Sequence, residues 1–295
     1  MAEVDSLRRF LFEGLQVRGE IVRLEAAWHQ VLAHQDYPAP VRSVLGEALA
    51  AAVLLASTLK FEGMLTLQLQ GDGPMRLLVA QCTSRGTVRG LAKWEGEPPA
   101  GDLRALTGDA RLAITIERGA AQDRYQGIVP VSGDSLAACL DNYFAGSVQV
   151  PTRLWLATDG RCSAGMLLQR LPESEPGRRE SEDDDWDRLL ALAGTLRDEE
   201  LLGLSHSALL GRLFAEDDVR LFDEQPVTFA CSCDRDRVAN TLRLLGREEI
   251  GQLVAERGEV EVRCEFCNRP YRFDAVDAEA LFADMPPSEG STTLH

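Results

Sequence analysis

Four cysteines near the C-terminal end constrain this chain more than any other feature. Cys231 and Cys233 form a Cys-x-Cys pair, and 31 positions after Cys233 comes the Cys-x-x-Cys pair of Cys264 and Cys267. Two close pairs of thiols supply the four soft ligands of a closed tetrahedral zinc site. A surrounding unit of about 55 residues with few large apolar side chains is near the size limit for folding without a metal or disulfides. The spacing therefore predicts that these cysteines bind one Zn²⁺ per chain in the reduced state.

The composition indicates a reducing compartment and few anionic partners. The N-terminal stretch has only the short apolar run FLF at residues 10–12, which is too short for the core of an export signal. We expect a cytoplasmic protein, in which closely spaced cysteines bind metal or do redox chemistry rather than form permanent bridges. The most apolar window, residues 48–59, is shorter than the roughly 20 residues of a membrane span. The formal net charge of −16 repels phosphates and anionic lipids, so we expect neither nucleic acid nor a membrane as partner.

Residues 1–172 are predicted to form an N-terminal α+β domain with a mixed sheet. Short β-like runs such as residues 64–70 and 76–82 are separated by turn residues, and these two predict a hairpin. Two Ala- and Leu-rich stretches, residues 41–59 and 136–145, predict helices. Runs of adjacent strands with few helices favour a mixed α+β arrangement over βαβ repeats.

Residues 173–227 are predicted to be an acidic linker followed by a Leu-rich helical segment. Six of the eight residues from Glu180 to Asp187 are acidic, which is typical of a solvated linker. Ten of the 26 residues from 189 to 214 are Leu, but Gly194, Gly203 and Gly211 interrupt the helical pattern. Each interior Gly costs about 1 kcal/mol relative to Ala, so these short helices need a surface on which to dock. An ordinary helical connector is the simpler interpretation.

Residues 228–284 are predicted to form a small α+β zinc-binding domain, and residues 285–295 a flexible tail. Asp234 can cap a helix that ends at Gly246, and a second helix, residues 247–256, is predicted to end at Gly258 before a strand. Losing a bound zinc would remove apparent stabilisation on the order of 10 kcal/mol from this unit.

The same four thiols allow a permanent metal site, disulfides or a switch between the two. Each pair is close enough in sequence to oxidise internally, and bound thiolates are the reactive form of cysteine. Small disulfide loops constrain the unfolded chain very little, so an oxidant that ejects zinc would leave the unit unfolded. The Leu-rich segment upstream would then lose support and expose apolar surface. We therefore hypothesise that oxidation turns the chain into a protein that binds others through exposed apolar surface.

Two stretches of the chain resemble a known family. CSCDRDRVANTLRLLGREEI (231–250) followed by CEFCNRPYRFD (264–274) is similar to the redox-switch region of the bacterial 33-kDa heat-shock protein family, the redox-regulated holdase chaperones. YFAGSVQVPTRLWLA (143–157) resembles a stretch of that family's N-terminal domain. Length, domain order and linker also agree, so the resemblance covers essentially the whole chain.

The resemblance implies a cytoplasmic, ATP-independent chaperone that is not an enzyme. It would be inactive when reduced and zinc-bound, and active after oxidation, especially with heat. The resemblance implies zinc ligation by Cys231, Cys233, Cys264 and Cys267, followed by the disulfides Cys231–Cys233 and Cys264–Cys267. It further implies unfolded client proteins as partners, a homodimer as the active form, and transfer of clients to ATP-dependent chaperones.

One position departs from the family pattern. Members of the family tend to have an acidic residue before the Gln of the YF…PT stretch, and here Val148 precedes Gln149. The departure bears on charge pairing at that place and not on the cysteines.

Two other functions fit the cysteine pattern less well. A zinc ribbon that binds nucleic acid or a protein partner is the main rival, but residues 231–273 contain eight Arg against eight Asp and Glu, so the unit has no net positive charge. A thiol oxidoreductase is the second rival. Its Cys-x-x-Cys motif would lie at a helix start, whereas CEFC precedes the strand-like YRF.

The remaining candidate residues are expected to be structural. Ser135 lies in a hydrolase-like GDSL sequence, but the only histidine near the C-terminal end is His295, so we interpret Ser135 as a helix cap. The other histidines lack metal-binding spacing and are expected to be solvated or packed; they are His29, His34 and His206. The three isolated cysteines are expected to be buried small residues; they are Cys82, Cys139 and Cys162.

Overall fold

The computed structural model describes residues 5–59, 62–119, 123–172 and 180–283, with the side chains of residues 123 and 180–183 left undescribed. The chain divides into two compact units, residues 1–230 and 231–295. Both units combine strands with helices, which confirms the α+β class. The predicted linker residues 173–179 and the predicted tail 285–295 lie outside the described residues.

The first unit contains twelve strands and seven helices in the described ranges. Its strands are β1 (Ser6–Phe12), β2 (Val17–Leu24), β3 (Gly63–Gly71), β4 (Met75–Thr83), β5 (Thr87–Trp94), β6 (Ala110–Arg118), β7 (Asp123–Pro130), β8 (Thr152–Thr158), β9 (Ser163–Arg170), β10 (Val219–Leu221), β11 (Gln225–Pro226) and β12 (Thr228–Phe229). Its helices are α1 (Ala26–Leu32), α2 (Ala39–Thr58), α3 (Leu103–Thr107), α4 (Leu136–Tyr143), α5 (Glu180–Ala193), α6 (Asp198–Gly203) and α7 (His206–Leu213). A π-helical turn, Phe144–Val148, continues α4.

These strands form two six-stranded sheets. The first sheet has the order β10-β1-β2-β9-β8, with β11 also pairing with β1, and all of its pairs are antiparallel. The second sheet has the order β12-β5-β4-β3-β6-β7, in which only β12 and β5 are parallel. The predicted hairpin is confirmed, because β3 and β4 pair from Met64↔Thr83 to Gln70↔Leu77.

Helix α2 lies between the two sheets and forms the centre of the main core. Twelve of its 20 residues are buried, and the cluster around it takes side chains from both sheets. Its run of alanines lets the helix backbone approach the strands closely. Gly165 of β9 faces this helix without a side chain, and a Cβ added there would lie only 2.9 Å from the Leu54 side chain. By length and composition α2 could cross a membrane, but 72% of the relevant window is buried inside this core. Burial between two apolar sheet faces accounts for its composition.

The outer face of the first sheet is covered by α5, α6 and α7, which together we call the cover segment (residues 180–213). Phe10 and Phe12 of β1 point to this face, and the Phe12 ring meets the Phe214 ring edge to face at 4.9 Å between centroids. Trp186, Leu189 and Ala193 follow helical spacing on α5 and are buried there. The Leu-rich stretch is therefore docked, as its weak helix propensity requires.

Two details of this segment differ from the sequence-based expectation. The acidic residues 180–187 were expected in a solvated linker, yet they begin α5. Negative charge in the first turns of a helix is favoured by the helix dipole. The apolar residues that follow on α5 then pack against the first sheet. Gly194 and Gly203 do end α5 and α6, but Gly211 lies inside α7, where Leu209, Leu210 and Leu213 are buried and hold the helix in place.

The second unit has three helices and one two-stranded sheet in its described part. They are α8 (Arg235–Leu245), α9 (Arg247–Arg257), β13 (Val260–Arg263), β14 (Pro270–Phe273) and α10 (Ala275–Leu281). As predicted, the Asp234 side chain caps α8 by accepting a hydrogen bond from the Arg237 N–H at 2.7 Å, and α8 ends at Gly246. Only ten described residues form its buried apolar core. The compact unit begins at Cys231, because Thr228 and Phe229 pair with β5 of the first unit.

Candidate metal centre

The structure brings all four predicted cysteine ligands together in the second unit. The Sγ atoms of Cys231, Cys233, Cys264 and Cys267 lie within 4.8 Å of one another. Two of the sulfur pairs are closer, with 3.6 Å between Cys231 and Cys264 and 3.3 Å between Cys233 and Cys267. Zinc–sulfur bonds of about 2.3 Å in a tetrahedron require sulfurs roughly 3.8 Å apart. The four thiols are thus compatible with one tetrahedral metal ion.

The backbone near each cysteine explains how the sulfurs converge. Cys231 and Cys233 lie on the extended stretch just before the Asp234 cap of α8. Cys264 directly follows β13. Its carbonyl accepts a hydrogen bond from the Asn268 N–H at 2.7 Å, and its own N–H donates to the Arg269 carbonyl at 3.0 Å. These two bonds close a tight turn that carries Cys267, and Asn268 adopts a left-handed conformation with φ of 54°. The start of α8 therefore positions one cysteine pair, and the turn between β13 and β14 positions the other.

A tyrosine on β14 contacts the cluster directly. The Tyr271 hydroxyl donates a hydrogen bond to the Cys233 sulfur at 3.1 Å, and the tyrosine ring itself is buried in the small core. Hydrogen bonds to ligand atoms fix their orientation and tune the metal that they hold. The sequence predicted the strand with YRF but gave no signal that this hydroxyl reaches a cysteine.

The cluster spreads the acidities of its thiols. Burial raises the pKa of Cys233, but hydrogen bonds from Tyr271 and from the other three thiols outweigh it and lower that pKa to about 7. Burial raises the pKa of Cys264, and it raises the pKa of Cys267 to about 12. Of these three thiols, Cys233 is therefore the one that loses its proton most readily.

The core beneath the cluster is small and edged by arginines. The Arg235 guanidinium stacks 4.2 Å from the centre of the Phe273 ring and pairs with Asp277 at 2.7 Å. Arg243 and Arg247 donate to the carbonyls at the end of α10. The exposed Arg235–Asp277 pair contributes little, so a metal ion held by the four cysteines would be the main cross-link between α8 and the β13–β14 hairpin.

The other candidate residues have structural roles. Ser135 caps α4, where its Oγ accepts a hydrogen bond from the Ala138 N–H at 3.2 Å, as expected. The isolated cysteines are buried as predicted, with exposed fractions of 2%, 1% and 3% for Cys82, Cys139 and Cys162. His34 packs against the Phe229 ring at 5.6 Å between centroids, and His206 is buried at the start of α7 in the cover segment.

Comparison with known proteins gives consistent matches. A family model described as "Hsp33 protein" matches residues 5–274. A protein named "33 kDa chaperonin" from Nitrosococcus oceani is 48% identical over 99% of both chains, and one from Azotobacter vinelandii is 47% identical over the full length of both. The crystal structure of a 33 kDa chaperonin, an Hsp33 homologue, from Thermotoga maritima is similar with a TM-score of 0.80 and 25% identity, covering 95% of this chain and 98% of that one.

Proposed function

The chain belongs to the Hsp33 protein family, a family of chaperones rather than enzymes, and we propose that it is an ATP-independent holdase switched by oxidation of its cysteine cluster. The observation that carries this proposal is the convergence of the four thiols within 4.8 Å on a unit with only ten described core residues. Holding of unfolded client proteins is the activity that the switch would control.

In the reduced state, Cys231, Cys233, Cys264 and Cys267 would hold one Zn²⁺. Four thiolates and no open position are the donor set of a structural zinc site. When bound, the ion supplies folding free energy by cross-linking α8 to the hairpin, and Tyr271 keeps Cys233 oriented through its hydrogen bond.

Oxidation would convert the four thiols into two disulfides. Each disulfide releases two electrons and two protons, which one peroxide molecule takes up to become two water molecules. We assign the pairs Cys231–Cys233 and Cys264–Cys267, as the family resemblance implies. The close sulfur contacts at 3.6 and 3.3 Å join other partners, Cys231 with Cys264 and Cys233 with Cys267, so proximity in the folded unit does not select the assigned pairs. Partners separated by only one or two intervening residues stay close after the unit unfolds, whereas the cross pairs would have to close loops of more than thirty residues.

Unfolding of the small unit would then reach the first unit along the chain. Cys231 comes two residues after the end of β12, whose attachment to β5 is short. The Thr228 N–H donates to the Gly86 carbonyl just before β5, and the Ala230 N–H donates to the Val88 carbonyl on β5. The preceding strands β10 and β11 are only three and two residues long. A disordered second unit would favour release of these short strands and of the cover segment before them.

Release of the cover segment would expose the surface that binds clients. The outer face of the first sheet carries Phe10, Phe12, Ile21, Met166 and Leu168, all at most 2% exposed while the segment is docked. A contiguous apolar face of this kind binds unfolded chains that expose apolar side chains of their own. Raised temperature favours release, because the three short helices have little stability of their own.

The remaining parts of the proposal rest on the family resemblance. They are a homodimer as the active form, transfer of clients to ATP-dependent chaperones, and a cytoplasmic location, where the thiols stay reduced until an oxidant appears.

The test is to record zinc release and suppression of aggregation together, before and after peroxide at raised temperature. We expect both to appear together with a heat-unfolding client, and both to reverse on adding reductant and zinc. The Ser232→Ala variant, which leaves all four thiols, is the matched control. If zinc leaves and no suppression appears, the cluster is only a structural cross-link and a partner-binding zinc module becomes the better interpretation.

A further inference from the structure

An apolar pocket opens on the first unit, away from the cover segment. It has a volume of about 230 Å³, and its floor is made by the buried side chains of Leu65, Ile114 and Ile116. Its mouth is formed by Leu59, Tyr125 and Val148, which are 38%, 49% and 39% exposed. The described residues contain only eight large hydrophobic side chains of this exposure, and three of them surround this one opening. Such clustering marks a binding surface rather than scattered exposure.

The π-helical turn builds one wall of this pocket. Phe144 begins the turn and lines the pocket, and Val148 ends it. Gln149 then takes a left-handed conformation with φ of 57°, and its N–H donates to the Phe144 carbonyl at 2.9 Å. The closed turn thus holds Val148 at the mouth. Single π-helical turns of this kind are frequent at functional sites.

The pocket adjoins a free sheet edge. β7 pairs along its eight residues with β6, and within the described part of the chain no strand pairs with its other side. Tyr125 belongs to β7, so the edge and the pocket share a residue. A strand added here would place alternate side chains on the pocket side of the sheet. Backbone hydrogen bonds would supply affinity, and the pocket would select an apolar side chain.

The charge at the pocket defines its occupant further. Arg118 at the end of β6 is the only charged residue of the lining. A guanidinium beside an apolar cavity complements a carboxylate next to an apolar side chain. Val148 keeps the mouth apolar, so the lining combines apolar side chains with one cation and no anion.

We propose that the pocket and the free edge of β7 form a docking site for one extended, apolar segment of an unfolded protein that carries a carboxylate beside its apolar side chains. The segment adds to β7 as a strand, inserts one side chain between Tyr125 and Val148, and pairs its carboxylate with Arg118.

This site differs from the surface beneath the cover segment in being open in the folded, reduced chain. Identifying its occupant as a client rests on the proposed holdase function. A single strand and one side chain give weak binding, and firm holding requires a second surface on the same molecule. The docking site therefore binds a short peptide in both redox states, while suppression of aggregation appears only after oxidation.

The test uses a labelled seven-residue peptide that alternates Phe or Val with Thr and carries one Asp, titrated into the full-length protein and followed by fluorescence anisotropy. The Val148→Glu variant should weaken binding about tenfold, because it removes apolar contact and adds a like charge at the mouth. The matched control is Val276→Glu, the same substitution at a residue that is 76% exposed on α10, and it should bind as the wild type does. Both variants are first checked for unchanged circular dichroism and melting temperature.

A charge exchange and a backbone probe test the two remaining contacts. Arg118→Glu should reverse the preference, so that a Lys-containing peptide binds better than the Asp-containing one. Methylating alternate amide nitrogens along one edge of the peptide should abolish binding, whereas methylating the other edge should not.

Three results would overturn the docking site. They are equal binding by the Val148→Glu and Val276→Glu variants, peptide binding that requires oxidation, and self-association of the chain that Val148→Glu abolishes while peptide does not compete. The last result would make a second copy the occupant. If the oxidised wild type suppresses no aggregation but the Val148-dependent peptide binding persists, the proposed function fails and the docking site stands.

Discussion

The two units of this chain are stabilised by different means. In the first unit, 41 described residues form the cluster around α2 and 17 form the cluster under the cover segment, whereas the second unit has ten. Apolar burial alone can hold the first unit together, but a unit of the second one's size needs a cross-link. Under the proposed function, oxidation would act on the small unit that carries the four cysteines and would leave the larger core intact.

The sharpest test of this difference removes the cross-link. The double variant Cys264→Ser/Cys267→Ser should lose tight zinc binding and with it apparent stabilisation on the order of 10 kcal/mol. Hydrogen exchange should accelerate across residues 231–283 while the strands of the second sheet stay protected. Cys82→Ser, at a buried cysteine of the first unit, is the control for loss of a thiol. Unchanged exchange in the second unit would contradict its dependence on the cluster.

Docking of the cover segment should be weakened by shortening one of its buried apolar side chains, and not only by loss of zinc. Leu209 of α7 is fully buried against the first sheet. Leu209→Ala should cost about 2–5 kcal/mol of docking stability and expose the sheet face in the reduced protein. Binding of an apolar dye and suppression of aggregation without peroxide should both rise. Leu244→Ala, at a residue that is 87% exposed in the second unit, should change neither.

The first unit contains a buried carboxyl group that makes it sensitive to pH. Burial raises the pKa of Glu20 on β2 to about 7, against the opposing effects of a hydrogen bond from Ser57 and of Arg18 and Arg9 nearby. In the folded protein, Glu20 keeps its proton at pH values at which the same carboxyl group in the unfolded chain has already lost its proton. Stability from this group is therefore full below about pH 4.5 and declines up to about pH 7.

Glu20→Gln should remove this dependence. The variant should be more stable than the wild type above pH 7 by about 2–3 kcal/mol, and the gap should close towards pH 5. Urea unfolding across that range, followed in the first unit, measures the effect. A constant difference at every pH would show that Glu20 does not titrate on unfolding.

A smaller effect is expected from the tyrosine at the cluster. Tyr271→Phe keeps the packed ring but removes the hydroxyl that donates to Cys233 at 3.1 Å. Loss of such a partner costs about tenfold in metal affinity, so competition with a chelator should show weaker zinc binding. Tyr37→Phe in the first unit is the matched control. Equal affinity would show that the hydrogen bond does not orient Cys233 in the metal-bound state.

The smallest effect should come from a glycine of the cover segment. A Cβ at Gly211 would meet no atom within 4 Å, and the residue lies inside α7. Gly211→Ala should stabilise the helix by about 1 kcal/mol and raise the temperature at which the oxidised protein becomes active. Gly203→Ala, at the end of α6 and equally free of contacts, should do less. A lower activation temperature would contradict a role for the cover segment in the switch.

The sequence predicted features that depend on local chemistry. The clustering of the four cysteines, the Asp234 and Ser135 caps and the β3–β4 hairpin follow from spacing and turn residues that the sequence makes visible. The sequence-based prediction failed where packing against distant parts of the chain determines the structure. Residues 180–187 join a helix because Trp186 and Leu189 meet a sheet built from residues far earlier in the chain.

The same limit applies to the finer details of both sites. The contact of the Tyr271 hydroxyl with Cys233 joins residues 38 positions apart and depends on how β14 packs. The pocket beside β7 combines the end of α2, β6, β7 and the π-helical turn, which no local pattern relates.

The pairing of β1 with β10 also bears on how the protein is made. Phe10 of β1 is placed opposite Leu221, and the helices that cover this face are encoded between residues 180 and 213. At about 5–20 residues per second, a ribosome needs roughly 10–40 s to deliver those residues after β1 has emerged. During that interval the apolar side chains of β1 have no cover segment to bury them, and one edge of β1 has no partner strand. The newly made protein thus passes through a state in which it resembles the clients that its family binds.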